Sequence, residues 1–255
     1  MMPVKTLIPA FYIKKTFKKD GDNYLRISEF FYDSIQGEGV HAGKPAAFLR
    51  LQGCTFNCNY CDTTAVWHSG NIFNFSELID MIEKSQLIQK FAEGQHFVIT
   101  GGSPLMQQPR LINFLQRLYI HLDIFPVIEI ENECSIMPSE KLINMELCWN
   151  NSPKLSNSNV PEVQRYQPTI IKKLASIYDS WFKFVISKPE DWEEIERMYL
   201  KPKLIQKEQI ILMPEANTRE QLIQNSPMVA ELAITQGVRF SSREHILLWD
   251  KMIGV

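Results

Sequence analysis

The chain predicts an α/β fold, a partial or small (β/α) barrel, and three observations carry that prediction. Short apolar runs alternate with segments of helical periodicity from residue 46 to residue 240, the pattern of parallel βαβ units. The 255 residues hold roughly six such units, too few for an eightfold barrel. The residues with the most distinctive chemistry follow strand ends, where parallel barrels carry their sites.

Residues 1–23 are a mixed basic segment closing on Lys18-Lys19-Asp20-Gly21-Asp22, and read as an N-terminal extension ahead of one domain over 24–255. A strand is expected at Leu25–Tyr32, then a loop at Ser34–Gly43 with glycines at 37, 39 and 43. Ala46–Gln52 is a short buried strand that delivers a cysteine-bearing loop. Ser76 is the expected N-cap of a helix whose Leu78, Ile79, Ile82 and Leu87 recur near helical spacing. His96–Thr100 is a strand ending at Gly101-Gly102, Pro109–Leu122 a helix and Phe125–Ile130 a strand. Strands at Leu147–Asn150, Phe182–Ile186, Gln209–Met213 and Val238–Phe240 alternate with helices at Thr169–Tyr178, Pro189–Tyr199 and Thr218–Ala233.

Composition excludes several classes. Lys and Arg number 27 against 29 Asp and Glu, so no global charge drives the chain toward nucleic acid or an anionic membrane. No run approaches the roughly 20 apolar residues of a membrane span. The first residues show no apolar signal region, so a soluble, cytoplasmic protein is expected. The five cysteines lie at 54, 58, 61, 134 and 148. An odd number with three in eight residues suits a metal or cluster better than a disulfide framework.

Cys54, Cys58 and Cys61 have the spacing C-x3-C-x2-C. Three thiolates on one loop can each bind one iron of a cuboidal cluster and leave the fourth iron open, whereas electron-transfer ferredoxins use four cysteines. Two alternatives stay open on spacing alone: a zinc site completed by Cys134, Cys148 or His68, or three unligated thiols. Thr100-Gly101-Gly102-Ser103-Pro104 follows a strand, and reads either as a turn or as backbone that a ligand approaches closely.

With Tyr60 in the aromatic position, the cysteine loop resembles the C-x3-C-x-aromatic-C signature of the radical S-adenosylmethionine (SAM) enzymes. Ser34-Ile-Gln-Gly-Glu-Gly39, Gly43-Lys-Pro-Ala-Ala-Phe-Leu-Arg50, Cys61-Asp62-Thr63 and Trp67 are similar to the 7-carboxy-7-deazaguanine synthase family of that group. The similarity continues through Glu131-Asn-Glu-Cys-Ser135, Ser152-Pro153-Lys154, Phe182–Val185, Met213-Pro-Glu215 and Arg239–His245, spanning about residues 28–250.

The resemblance implies a barrel of the radical SAM type whose Cys54, Cys58 and Cys61 hold a [4Fe–4S] cluster. It implies SAM contacts at Tyr60, Cys61, Asp62, Gly101, Gly102, Ser103, Ser152 and Lys154. Ser103 stands where the family's Gly-Gly-Glu-Pro motif has glutamate, so a hydroxyl replaces a charge there. Ile35, Gln36, Gly37, Arg50 and Thr100 would meet a pterin substrate, with Arg50 suited to a carboxylate, and Thr63 would help to bind Mg2+. The implied reaction turns 6-carboxy-5,6,7,8-tetrahydropterin into 7-carboxy-7-deazaguanine with loss of ammonia. An external donor such as flavodoxin or ferredoxin and a homodimer are implied as well. Two other readings compete: a radical SAM activase acting on a protein glycine, and a non-catalytic zinc-stabilised module.

Cys134 and Cys148 are expected in the core. His245 is a weak site candidate. Glu190, Glu193 and Glu194 are expected on a solvated helix face, and Phe73, Phe75 and Trp67 either over the cluster or in ordinary packing.

Overall fold

A computed structural model describes residues 4–16 and 18–254. Seven strands run parallel: β3 (Pro45–Leu51), β5 (His96–Gly101), β6 (Ile128–Asn132), β7 (Cys148–Asn151), β8 (Ser180–Ile186), β9 (Ile210–Pro214) and β10 (Arg239–Phe240). β2 (Tyr24–Ile35) lies antiparallel to β3, and both β1 (Lys5–Ile8) and β4 (Asn71–Asn74) pair antiparallel with β2. The sheet order from one edge is β1-β2-β3-β5-β6-β7-β8-β9-β10. Lys183 on β8 nevertheless bonds Glu38, just past β2, so the sheet curls until distant strands face each other. This is the partial (β/α) barrel the alternation predicts.

Period-two alternation sorts the side chains. Leu49, Leu51, Phe97, Ile99, Ile128, Ile130, Trp149, Phe182, Phe184 and Leu212 belong to one buried apolar core. Each large side chain so buried contributes about 1.5–3 kcal/mol. The alternate positions are chemically different: Arg50 pairs in register with Thr100, Glu131 with Asn150, and Val98 with Glu129. The core positions are apolar throughout, while the concave face carries the charged and amide side chains together with a few apolar ones such as Phe48, Val185 and Met213. That sorting builds the site.

The structure moves several expected boundaries. α2 (Phe75–Lys84) starts after Asn74 rather than Ser76, because Glu77 reaches back to accept the Asn74 N–H at 2.7 Å while Phe75 sinks into the core. The helix then breaks before α3 (Leu87–Ala92), where the Ser85 hydroxyl donates to the Ile82 carbonyl and accepts the Leu87 N–H. β6 begins at Ile128 rather than Phe125: Pro126 has no N–H for the ladder, and Phe125 and Val127 are exposed. α4 (Gln108–His121), α7 (Pro168–Ala175) and α9 (Arg219–Gln236) match expected helices within a few residues. In α9 the Thr218 hydroxyl accepts the Gln221 N–H at 3.1 Å, and Gly237 ends the helix at φ 61°.

The expected helix Pro189–Tyr199 is α8 (Asp191–Ile195) continued by a π-helical turn at Glu196–Leu200. Its Glu194 corrects the expected solvated face: Glu194 is buried and accepts from Arg165 at 2.6 Å, while Glu190 and Glu193 are exposed. The sequence reading had no strand at Lys5–Ile8 within residues 1–23, yet that segment adds β1 beside β2; residues 1–3 and 17 lie outside the described residues. β4 and the short helices α1 (Thr64–His68), α5 (Glu140–Ile143), α6 (Glu162–Arg165) and α10 (Glu244–Trp249) likewise have no counterpart among the expected elements. No described helix is long and apolar enough to cross a membrane.

Candidate active site

The cysteine loop follows β3, Gly102-Ser103 follows β5, Glu133 follows β6 and Ser152-Pro153-Lys154 follows β7, all at the C-terminal ends of parallel strands. They open on one cleft of about 530 Å3, within the range of small-molecule sites. Cys54, Cys58, Cys61, Tyr60, Asp62, Thr63, Gly101, Gly102, Ser152, Lys154, Ile35, Gln36, Gly37, Arg50 and Thr100 all line it. Ser103 does not: it is fully buried behind the lining.

The three lining cysteines are unpaired and only partly buried. Burial pushes the Cys54 thiol up to about 11, and it raises Cys58 as well. Such thiols need a cationic partner to ionise, which is what iron supplies to a thiolate. Cys134, Cys148 and His68, the proposed fourth zinc ligands, do not line the cleft. Both cysteines are buried, as expected of packing residues, and His68 stacks on Trp67 on the outside. Cys54, Cys58 and Cys61 are the only cysteines among the described residues lining the cleft, and three sulfur donors fit an open-sited [4Fe–4S] cluster.

The glycine pair has a local cause. A Cβ on Gly102 would lie 2.4 Å from the Cys54 Cβ and 2.5 Å from the Gly53 carbonyl oxygen, and one on Gly101 would lie 2.5 Å from the Leu51 carbonyl oxygen. The close approach is therefore to the chain's own cysteine loop. The Ser103 N–H donates to the Gly53 carbonyl at 2.8 Å and locks the two segments together. Gly37 behaves similarly, since a Cβ there would meet the His245 ring at 2.1 Å.

A ladder of charges crosses the cleft. Lys183 Nζ lies 2.6 Å from Glu38 and 3.0 Å from Glu131, while Arg243 Nε bonds Glu38 at 2.8 Å and its Nη2 bonds Asp62. Burial would raise Glu38 and Asp62, but the cations outweigh it and hold both well below the usual carboxylate range. Glu131 is raised by burial despite Lys183. Gln36 Nε2 donates to Glu129 at 3.1 Å and to Glu131 at 3.2 Å. Arg50 Nε is taken by Glu29 at 2.6 Å, and one Nη reaches the Gly101 carbonyl at 3.5 Å. The other Nη has no hydrogen-bond partner among the described residues.

Thr63 is the N-cap of α1 yet makes no side-chain capping bond; its hydroxyl lies 3.8 Å from Cys61 Sγ. His245 lines the cleft, 3.7 Å from Asp62. Trp67 lines it too, whereas Phe73 and Phe75 pack in the core. Glu29, Glu38, Lys183 and Arg243 are site residues to which the sequence reading gave no role. A signal existed: Lys183 interrupts the apolar strand Phe182–Ile186, and a cation inside a buried strand needs partners.

A family profile described as "4Fe-4S single cluster domain" matches residues 35–124. The 7-carboxy-7-deazaguanine synthase of Pyrobaculum aerophilum is 33% identical over 232 residues, 90% of this chain and 97% of that protein. The enzyme of the same name from Halobacterium salinarum is 31% identical over 238 residues, 89% and 91% of the two chains. Among solved structures, QueE from Escherichia coli has the same fold, with a TM-score of 0.63 at 22% identity over 87% of this chain and 95% of its own.

Proposed function

The chain belongs to the 7-carboxy-7-deazaguanine synthase family, and on that footing we propose that its cleft converts 6-carboxy-5,6,7,8-tetrahydropterin into 7-carboxy-7-deazaguanine with release of ammonia. It is a radical SAM enzyme with a [4Fe–4S] cluster and SAM as cofactors. The observation that carries the reading is the convergence of three cysteines, the glycine pair and a charged ladder at one end of the parallel strands.

The cluster, held by Cys54, Cys58 and Cys61, supplies when bound the electron that cleaves SAM. The protein's contribution is position and exclusion of water. Gly102, pressed against Cys54, fixes the glycine pair relative to the cluster loop. Tyr60, Asp62, Ser152 and Lys154 offer polar groups to SAM, and Lys154 Nζ is steadied by Ser152 Oγ at 2.8 Å. Gln36, Arg50 and Thr100 lie on the concave face, where a flat heterocycle would find amide, guanidinium and hydroxyl groups. Glu29 holds Arg50 in place, so its free Nη suits the substrate carboxylate. The Thr63 hydroxyl, which makes no capping bond and meets only Cys61 Sγ at 3.8 Å among the described residues, supports a place for it beside Mg2+, completed by water and substrate oxygens. A flavodoxin- or ferredoxin-like donor, a homodimer and a cytoplasmic location complete the proposal through the family resemblance.

Anaerobic reconstitution followed by turnover with SAM, Mg2+ and the carboxytetrahydropterin tests it. Deazaguanine formed in step with 5′-deoxyadenosine is the expected result. Protein that loads four irons and cleaves SAM yet makes no deazaguanine would sink the substrate assignment.

A further inference from the structure

Ser103 occupies a place where its segment lacks a carboxylate, but the site itself does not. Glu133, at the end of β6, is only 5% exposed and lines the cleft together with Gly102, Cys54, Cys58 and Lys154. Three hydroxyls converge on one of its oxygens. Ser103 Oγ donates to Glu133 Oε1 at 2.7 Å and Thr55 Oγ1 at 3.1 Å, and Ser135 Oγ donates to the same atom. Thr55 adjoins Cys54, and Ser103 adjoins Gly102. The carboxylate is thereby pinned at the seam between the cysteine loop and the glycine pair. Its other oxygen, Oε2, is buried and has no hydrogen-bond partner among the described residues. A shielded carboxylate oxygen without a donor is costly, and the three hydroxyls that hold this carboxylate all bond Oε1.

The backbone supports the same reading. Cys134 holds φ at 69°, in the left-handed region that ordinary side chains avoid. That turn directly follows Glu133 and sets the direction in which the chain leaves the strand. Across the same cleft, Lys154 Nζ has, among the described residues, only the Ser152 hydroxyl at 2.8 Å as a bonded partner. A carboxylate with a vacant oxygen and an ammonium group beside one cysteine loop match the two ends of an α-amino acid.

We propose that Glu133 accepts the amino N–H of the methionine part of SAM, with Ser103 as the positioning residue that holds it. Residue 133 then supplies the carboxylate that residue 103 does not, and the Ser103 hydroxyl anchors it. This rests on the reading of the cleft as a SAM site.

The test uses reconstituted protein without reductant, so that binding is measured apart from turnover. In Glu133→Gln the three hydroxyl donors require the amide oxygen at the Oε1 position, which forces the NH2 group toward the SAM amino group. Equilibrium dialysis should show SAM affinity reduced at least about tenfold. Binding of 5′-methylthioadenosine, which lacks the amino-acid end, should be unchanged. Wild-type SAM affinity in the variant, or equal weakening of both ligands, overturns the inference while leaving the SAM site standing. Wild-type protein with four irons that binds no SAM overturns the inference and the functional reading together. A crystal structure of the wild-type holoenzyme with SAM decides independently of any variant. The amino nitrogen should lie within about 3.5 Å of a Glu133 oxygen, and a greater separation refutes the assignment.

Discussion

Replacing Lys183 with methionine is the sharpest test of the charged ladder. Lys183 is 2% exposed, and its ammonium group lies between Glu38 at 2.6 Å and Glu131 at 3.0 Å. Burial alone would lower its pKa, yet the two carboxylates more than offset that and raise it. Lys183→Met removes the charge and keeps much of the stem, so the change isolates electrostatics from packing. Glu131 is then left facing Glu38 with Gln36 as its nearest donor. Breaking a buried pair in this way costs about 3–5 kcal/mol, because an uncompensated charge remains inside.

The loss should depend on pH with a definite sign. A buried carboxylate without its cation has a native pKa above its unfolded value, so the native state binds the extra proton. Stability is then fully present below the unfolded carboxylate value and declines as pH rises toward the native one. In that window the variant loses about 1.4 kcal/mol per pH unit. Urea unfolding followed by tryptophan fluorescence, at about pH 5.5 and about pH 8, measures both quantities. A deficit below about 1 kcal/mol, or one equal at the two pH values, would refute the account of Lys183 as the cation holding two partly buried carboxylates.

Gly102→Ala should cost about 1–3 kcal/mol and cut cluster loading, because its Cβ would lie 2.4 Å from that of Cys54; iron and sulfide analysis checks this. Alanine at Cys54, Cys58 or Cys61 should abolish the iron–sulfur absorbance, while alanine at Cys134 or Cys148 should leave it intact. His41 and His96 help hold Glu129 down from 4.5 to about 2 against burial, the largest contribution. A depressed carboxylate stabilises above its unfolded value and loses that stabilisation as pH falls through the native one. Thermal melts between about pH 5 and about pH 3 should therefore drop more steeply for wild type than for Glu129→Gln, by up to about 3 kcal/mol.

What was legible in the sequence tracks the range of the interactions involved. The parallel strands were readable because Phe182–Ile186 or His96–Thr100 carry their apolar pattern locally. The cysteine loop was readable because Cys54, Cys58 and Cys61 declare their chemistry within eight residues. β4 was missed because its four residues gain their stability from pairing with Tyr24–Ile27, some 50 positions away. β1 hid in a basic segment for the same reason, since only β2 makes it a strand. Glu194 looked solvated because its partner Arg165 lies 29 residues earlier. The ladder joining Glu38, Asp62, Glu131, Lys183 and Arg243 draws on five segments. Family resemblance could point to the stretches carrying these residues, but only the folded chain shows which charges meet.

The glycine-rich loop after β2 and residues 241–245 are bonded across the mouth of the cleft. Gly39 N–H donates to the Ser241 hydroxyl at 2.9 Å, Glu244 N–H donates to the Gly37 carbonyl at 2.8 Å, and Arg243 spans Glu38 and Asp62. These contacts join positions up to 205 residues apart. Contacts of such separation close late, since the chain entropy of the intervening loop must be overcome first. During synthesis the cysteine loop therefore emerges long before its cleft is complete. A ribosome-bound chain halted before Ser241 would present all three thiols on an unlatched wall. The wall that holds the thiols and the charges that latch it thus come from opposite ends of the chain, and the latch is the last part to be made.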